Sequence, residues 1–320
     1  MRYTFLTLPL FFVSLLAQAQ DASLLAGAMK VDKRSNDHSF AVQMGYSQRM
    51  GQNTAVSAEY VNEGHPTLHH RDGLSLQGWL HTATPASGFS FAAGVGPYYY
   101  FDTTTGNGSA ADYRNDHGWG LLSSVSAKYH FAQRSYAEAR LSRINGRAGH
   151  DSTVLVLGMG YELRDLPREV QLRNADPGEN LVMLLAGRSI VNSFKSEKAS
   201  GYGIEYRHTV NPNTEWSVIA MDEGRVGVAE RRGVSSQAWL LRPFTERTVL
   251  ELGVGGYLMR DQVNRGDVNE EPKTHLAPIA SIGVRYRINH TLRAQLSWSR
   301  VITDYHRDSD VFLMGAGVAF

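Results

Sequence analysis

The chain has 320 residues, with 32 lysines and arginines against 31 aspartates and glutamates, 31 glycines, 15 tyrosines and no cysteine. A balance this close to neutral argues against nucleic acid as a partner, and the absence of cysteine excludes disulfide staples and thiolate metal sites. Abundant glycine and tyrosine, with few helix-period patterns, directs the reading toward strands.

Residues 1–19 read as a secretory signal. Arg2 supplies the positive end, residues 5–16 the short apolar core, and Ala17-Gln-Ala19 the small-residue cleavage site. The run is too short to cross about 30 Å of hydrocarbon as a helix, and no later stretch reaches the roughly 18 apolar residues that a spanning helix needs. Loss of Arg2 with the signal leaves the expected mature chain, from Gln20 onward, close to neutral.

From there the sequence is written twice. Leu24-Leu-Ala-Gly27 returns as Leu184-Leu-Ala-Gly187, 160 residues later. Thr54 matches Thr214, and Gln77-Gly-Trp-Leu matches Gln237-Ala-Trp-Leu. Gly94-Val-Gly-Pro-Tyr matches Gly253-Val-Gly-Gly-Tyr, and Asp151-Ser-Thr-Val matches Asp308-Ser-Asp-Val. Eight strands are expected in each copy, over about 22–163 and 180–320, and the charged, two-proline segment 164–179 joins them as a linker.

Nearly every segment alternates with period two, so each strand has two unlike faces. In residues 124–131, Val125, Ala127, Tyr129 and Phe131 face one way and Ser124, Ser126, Lys128 and His130 the other. In residues 292–301, Leu292, Leu296 and Trp298 oppose Arg293, Gln295, Ser297 and Ser299. An apolar face rich in aromatics and a polar face of Gly, Ser and mixed charges suit a membrane barrel, with the polar face as the lumen. A closed barrel is also the one sheet that satisfies its backbone in lipid. Expected inward charges are Glu59, Lys128, His130, Glu138 and Arg140 in copy one, and Glu205, Arg207, Glu215, Glu251, Arg285, Arg287 and Arg293 in copy two. Opposite charges in a small lumen remove one another's desolvation cost.

Tight turns at 51–53, 84–87, 132–134, 211–213 and 289–291 alternate with longer polar links at 63–73, 103–116, 145–151, 193–200, 262–274 and 303–309. Short turns on the periplasmic side and long loops outside are the rule for outer-membrane barrels. The expected fold is therefore all-β, a transmembrane antiparallel β-barrel in two tandem eight-stranded units, with one barrel of about sixteen strands as the alternative. The pairing of the strand near Leu157 decides: with the strand near Leu25 there are two barrels, with that near Leu184 there is one. Small residues at Gly94, Gly96, Gly158 and Gly160, echoed at Gly253, Gly255, Gly315 and Gly317, favour narrow barrels filled by side chains.

One segment repeats in length but not in chemistry. Copy one reads Asn62-Glu-Gly-His-Pro-Thr-Leu-His-His-Arg-Asp-Gly73, and copy two has Arg225, Ala229, Glu230 and Arg232 where copy one has His65, His69, His70 and Asp72. Read as an extracellular loop, it joins Arg114, Asp116 and His117 of the next long link and Asp102 at the lip of the strand between. The candidate ligand site is thus Glu63, His65, His69, His70, Arg71, Asp72, Asp102, Arg114, Asp116 and His117. Histidine with carboxylate suits a divalent metal such as zinc, or an acid–base pair. Arg71 and Arg114 suit lipopolysaccharide phosphates. No other cofactor is implied. Gly94-Val-Gly-Pro lies inside a strand and opens no helix, so it is not a phosphate loop.

The terminal strand pattern ending on Phe320 resembles Gram-negative outer-membrane proteins, whose closing aromatic is read by the barrel assembly machinery; that resemblance implies an outer-membrane location. Each eight-stranded copy also resembles the small barrels of the lipid A deacylase family. That family carries a His-x-Ser pair on a late strand. The matching strand here, Ala139-Arg-Leu-Ser-Arg-Ile-Asn-Gly146, has Ser142 and Asn145 but no histidine two places before a serine, and Ser297-Trp-Ser299 lacks one too, so the nucleophile has no base. The leading reading is a non-catalytic outer-membrane protein whose first repeat presents a His/Asp/Arg site to a surface ligand: lipopolysaccharide, a glycan or a metal. A pore for small solutes or exported polysaccharide, and a lipid A-modifying hydrolase using His69 or His117, are the alternatives.

Overall fold

The period-two segments form strands throughout. The structure, a computed structural model, describes residues 20–32, 37–83, 85–105, 113–131, 134–146, 151–163, 176, 178–193, 196–226, 229–265, 268–269 and 271–320. The expected signal, nearly all of the expected linker, and parts of the expected links at 103–116, 145–151, 193–200 and 262–274 lie outside these residues.

The first barrel consists of β1 (Gln20–Val31), β2 (His38–Arg49), β3 (Thr54–Asn62), β4 (His69–His81), β5 (Gly88–Thr105), β6 (Tyr113–His130), β7 (Ser135–Gly146) and β8 (Ser152–Leu163). Each strand pairs antiparallel with the next, and β1 pairs with β8 in the register Ala26 to Leu157, which closes the sheet on itself. The second consists of β9 (Asn180–Val191), β10 (Lys198–Asn211), β11 (Thr214–Val226), β12 (Ala229–Pro243), β13 (Thr248–Arg265), β15 (Lys273–Arg287), β16 (Leu292–Val301) and β17 (Ser309–Ala319); β14 (Val268–Asn269) is a two-residue arm on β13. Pairing of β17 with β9 and of β12 with β13 completes its closure. The chain is all-β with two closed eight-stranded barrels, and the sixteen-stranded alternative falls on the β1–β8 register.

The two faces sort as the alternation requires. Leu24, Leu157, Val125, Leu184, Leu296 and Met314 point outward and are 55–65% exposed. Inside, the repeat becomes a repeated set of contacts. Trp79 lies flat against Gly94 and donates its indole N–H to Ser57 Oγ at 2.8 Å; Trp239 does the same against Gly253 and Ser217 Oγ at 2.8 Å. A Cβ on Gly94 would fall 2.5 Å from the Trp79 ring, and one on Gly253 2.7 Å from Trp239, so each position needs glycine for the ring to pack. Gln77, Ser124 and Ser142 form a chain of hydrogen bonds across the first lumen, with 2.9 Å between the two serines. Gln237, Ser281 and Ser299 form its counterpart, with 2.7 Å between the serines. Ser142, on the strand aligned with the deacylase motif, is thus a buried lumen hydroxyl.

Charge is compensated inside both barrels. Arg140 bonds Glu59 at 2.7 Å and Glu138 at 2.9 Å and stacks over Trp79. In the second barrel Arg207 meets Glu205 and Glu251 at 2.9 Å, and Arg285 meets Glu215 at 2.7 Å and Glu251 at 3.0 Å. Arg287 keeps the inward face, opposite Arg293, but lies at the short-turn end, where it is half-buried and donates to the Glu246 carbonyl at 2.8 Å. A cavity of about 50 Å³ at the short-turn end of the first lumen, bordered by Glu59, Trp79, Lys128 and Arg140, has room for a few waters and no more.

Candidate functional site at the rim of the first barrel

Most of the candidate residues lie on strands, which corrects their assignment to loops. His69, His70, Arg71 and Asp72 begin β4, Asp102 lies within β5, and Arg114, Asp116 and His117 lie in β6. β5 and β6 run 18 residues each, about 60 Å at ~3.4 Å per residue. That exceeds the ~9–11 tilted residues that cross a bilayer, so the ladder continues past the apolar band into residues that read as loop. The connection between β3 and β4 shrinks to 63–68. There Pro66 has no N–H to give a ladder, and the turn is held instead by Thr67 N–H on Asp37 Oδ1 and His65 N–H on Ser39 Oγ, both 2.7 Å. The aligned stretch of copy two has Val226 in place of Pro66 and continues as strand pairing to Val226–Ala229.

Alternation then splits the candidates between two sides of the wall. Arg71 points inward, with Nε 2.6 Å and Nη2 2.7 Å from the Glu63 carboxylate. Tyr98 Oη donates to Glu63 at 3.2 Å, and Ser152 Oγ donates to it as well. This group is buried, and copy two repeats it: Glu223 accepts from Ser309 Oγ at 2.8 Å and Ser189 Oγ at 2.9 Å, with Arg231 3.5 Å away. Glu63 and Arg71 are the members of the cluster that copy two keeps, and they are lumen supports. His69 also turns inward, with Nδ1 3.1 Å from both Asp102 oxygens, at the mouth of the lumen. His70 turns outward and packs against the His65 ring at 4.2 Å, the planes tilted by 33°. Arg114 and Asp116 form an exposed pair at 3.6 Å. The ten candidates do not converge on one centre.

Asp72 and His117 face a different partner, the second barrel. Arg300 of β16 donates to Asp72 through Nη1 at 3.2 Å and Nη2 at 2.6 Å, and to Asp310 through Nε at 2.7 Å and Nη2 at 3.1 Å. Its guanidinium lies 5.1 Å over the Phe101 ring. Tyr60 Oη donates to Asp72 at 2.6 Å while its ring meets Trp298 edge-on at 4.8 Å. His117 Nε2 lies 2.6 Å from Asp308 Oδ2, and Asn115 Nδ2 donates to the Asn192 carbonyl at 2.8 Å. Arg300 is only 8% exposed. These residues form a polar clasp between the barrels at the long-loop end. Sequence reasoning missed Tyr60, Trp298, Arg300, Asp308 and Asp310. A signal was present in Asp72, which is acidic in copy one and arginine (Arg232) in copy two, since a position that docks one barrel onto the other has no reason to repeat.

No family model matches the chain, and no curated protein does. Among solved structures, the chain is similar to the N-terminal β-barrel domain of OprF from Pseudomonas aeruginosa, at 15% identity over 45% of this chain and 96% of that one, TM-score 0.37. It is also similar to Neisserial surface protein A, at 16% identity over 45% and 99%, TM-score 0.39. A third is Ail, the attachment invasion locus protein of Yersinia pestis, at 14% identity over 45% and 99%, TM-score 0.36.

Proposed function

We propose that the chain is a non-catalytic outer-membrane protein, two barrels side by side, that acts at its surface-facing rim and does not conduct solute. The observation that carries this reading is the pair of filled lumens: each is crossed by buried arginines bonded to glutamates, with a tryptophan packed beneath them. Opening either would strand buried charges, at several kcal/mol each. The outward apolar bands favour lipid as the surroundings of both walls, and residues 1–19 and Phe320 suit export and assembly at that membrane. In the first repeat, the clasp and the lumen supports leave His69 with Asp102, His65 with His70, and Arg114 with Asp116, at the open end. Paired donors and acceptors of both signs suit a hydroxyl-rich ligand, and we assign a surface glycan to them.

Planar-bilayer recording on the folded protein is expected to show no steady conductance. A stable open channel would move the function to a pore. Binding of labelled cell-surface polysaccharide should fall on His69→Ala with Arg114→Ala while the barrels stay folded; unchanged binding would remove the rim from the function.

A further inference from the structure

On six of the eight strands of the second barrel the outer face carries a charged residue near the long-loop end: Arg188 on β9, Asp222 on β11, Arg232 on β12, Arg260 on β13, Arg300 on β16 and Asp310 on β17. Arg300 is taken up by Asp72 of the first barrel, and Asp310 accepts from the same guanidinium. Arg188, Arg232 and Arg260 remain exposed, and none of them enters an ion pair among the described residues. Arg232 and Arg260 are direct cross-strand partners on the outer face, with Cα atoms roughly 5 Å apart. Like charges in that position repel. Asp222 lies opposite Arg232 on the other side, but its carboxylate accepts the Gly224 N–H at 2.8 Å. Two exposed cations thus stand side by side on adjacent strands, and an anion bound beside them would relieve their repulsion.

The wall directly below is apolar and indented. Ala186 and Ala220, set among Leu184, Ile204 and Val234, leave an open groove that reaches up to Arg232. An anionic head with an apolar tail fits both parts together. Taking the wall as membrane-facing, as the preceding section does, we propose that Arg232 and Arg260 bind a phosphate of an outer-leaflet phosphoglycolipid, whose acyl chain lies along this groove. Arginine is suited to that contact because its planar fork meets phosphate oxygens two at a time. The same slot in the first barrel holds Asp72 opposite Phe101. There it receives Arg300 of the neighbouring barrel; here it receives lipid. Divergence of the two copies at this one level gives the molecule one wall that docks protein and one that docks headgroup.

The test uses the full chain in phosphatidylcholine nanodiscs, titrated with purified bis-phosphorylated lipid A and with its dephosphorylated form, bound lipid being counted by native mass spectrometry. Wild type is expected to retain the phosphorylated lipid, and Arg232→Gln with Arg260→Gln to bind it about 10-fold more weakly, roughly 3-fold for each exposed guanidinium–phosphate contact removed. Both substitutions are on the exposed outer face, and migration of unheated samples on gels reports whether the barrels are closed. Arg232→Gln alone, expected to weaken binding about 3-fold, serves if the double variant does not close. Equal binding by wild type and a closed variant, or equal binding of the dephosphorylated lipid, would overturn the site while leaving the membrane reading standing. Displacement by millimolar inorganic phosphate would also overturn it, since a free ion would then be the ligand. Failure of wild type to enter nanodiscs at all would sink both readings.

Discussion

Replacing Arg300 by alanine should uncouple the barrels without opening either. The guanidinium makes four contacts of 2.6–3.2 Å, two to Asp72 across the interface and two to Asp310 on the neighbouring strand. Its removal leaves two buried carboxylates facing each other with no cation between them. Breaking a buried pair in this way costs about 3–5 kcal/mol. At the lower end, the population of separated barrels rises about two orders of magnitude, one decade per ~1.4 kcal/mol. Barrel closure should survive, because the β1–β8 and β9–β17 ladders do not pass through Arg300. The chain has no native cysteine, so spin labels placed at exposed Lys30→Cys and Lys198→Cys report the inter-barrel distance cleanly. Wild type should give one narrow distance distribution and Arg300→Ala a broad one. Arg300→Met, with Asp72→Asn and Asp310→Asn, should recover part of the narrow peak, since no charge is then stranded. An Arg300→Ala distribution as narrow as that of wild type would refute the clasp.

Glu63→Ala strands Arg71 inside the first lumen and should destabilise that barrel by about 3–5 kcal/mol; denaturant unfolding followed by tryptophan fluorescence should show the Trp79 transition move and the Trp239 transition stay, and joint movement would mean the barrels unfold as one unit. Phe320 is exposed at 70% and only its backbone is tied, N–H and carbonyl both to Asn180. Phe320→Ser should therefore leave the folded barrel as stable as before yet lower its yield in cell membranes, and a normal yield would remove the role of the terminal aromatic.

The alternation was legible residue by residue. Ser124, Ser126, Arg293 and Gln295 were expected inside and are buried; Val125, Leu292 and Leu296 were expected outside and are exposed. Period two carries this information because a strand's neighbours must face opposite ways. The strand ends were not legible. Once β4 and β6 rise above the apolar band, both faces turn polar, and His69 to Asp72 look like any surface loop.

What the amino-acid sequence determined by itself was the strand pattern, the two unlike faces, and the tandem repeat with its Gln77/Gln237 and Trp79/Trp239 anchors. These are local or internal properties, written in spacing and in self-similarity. Tertiary structure alone decided that the sheet closes at β1–β8, and that Asp72 and His117 reach across to Arg300 and Asp308, residues 228 and 191 positions away. Closure is a matter of which edges meet, and the clasp a matter of which outer walls lie together. Neither leaves a period in the chain, because the partners are set by how two finished barrels stand against each other.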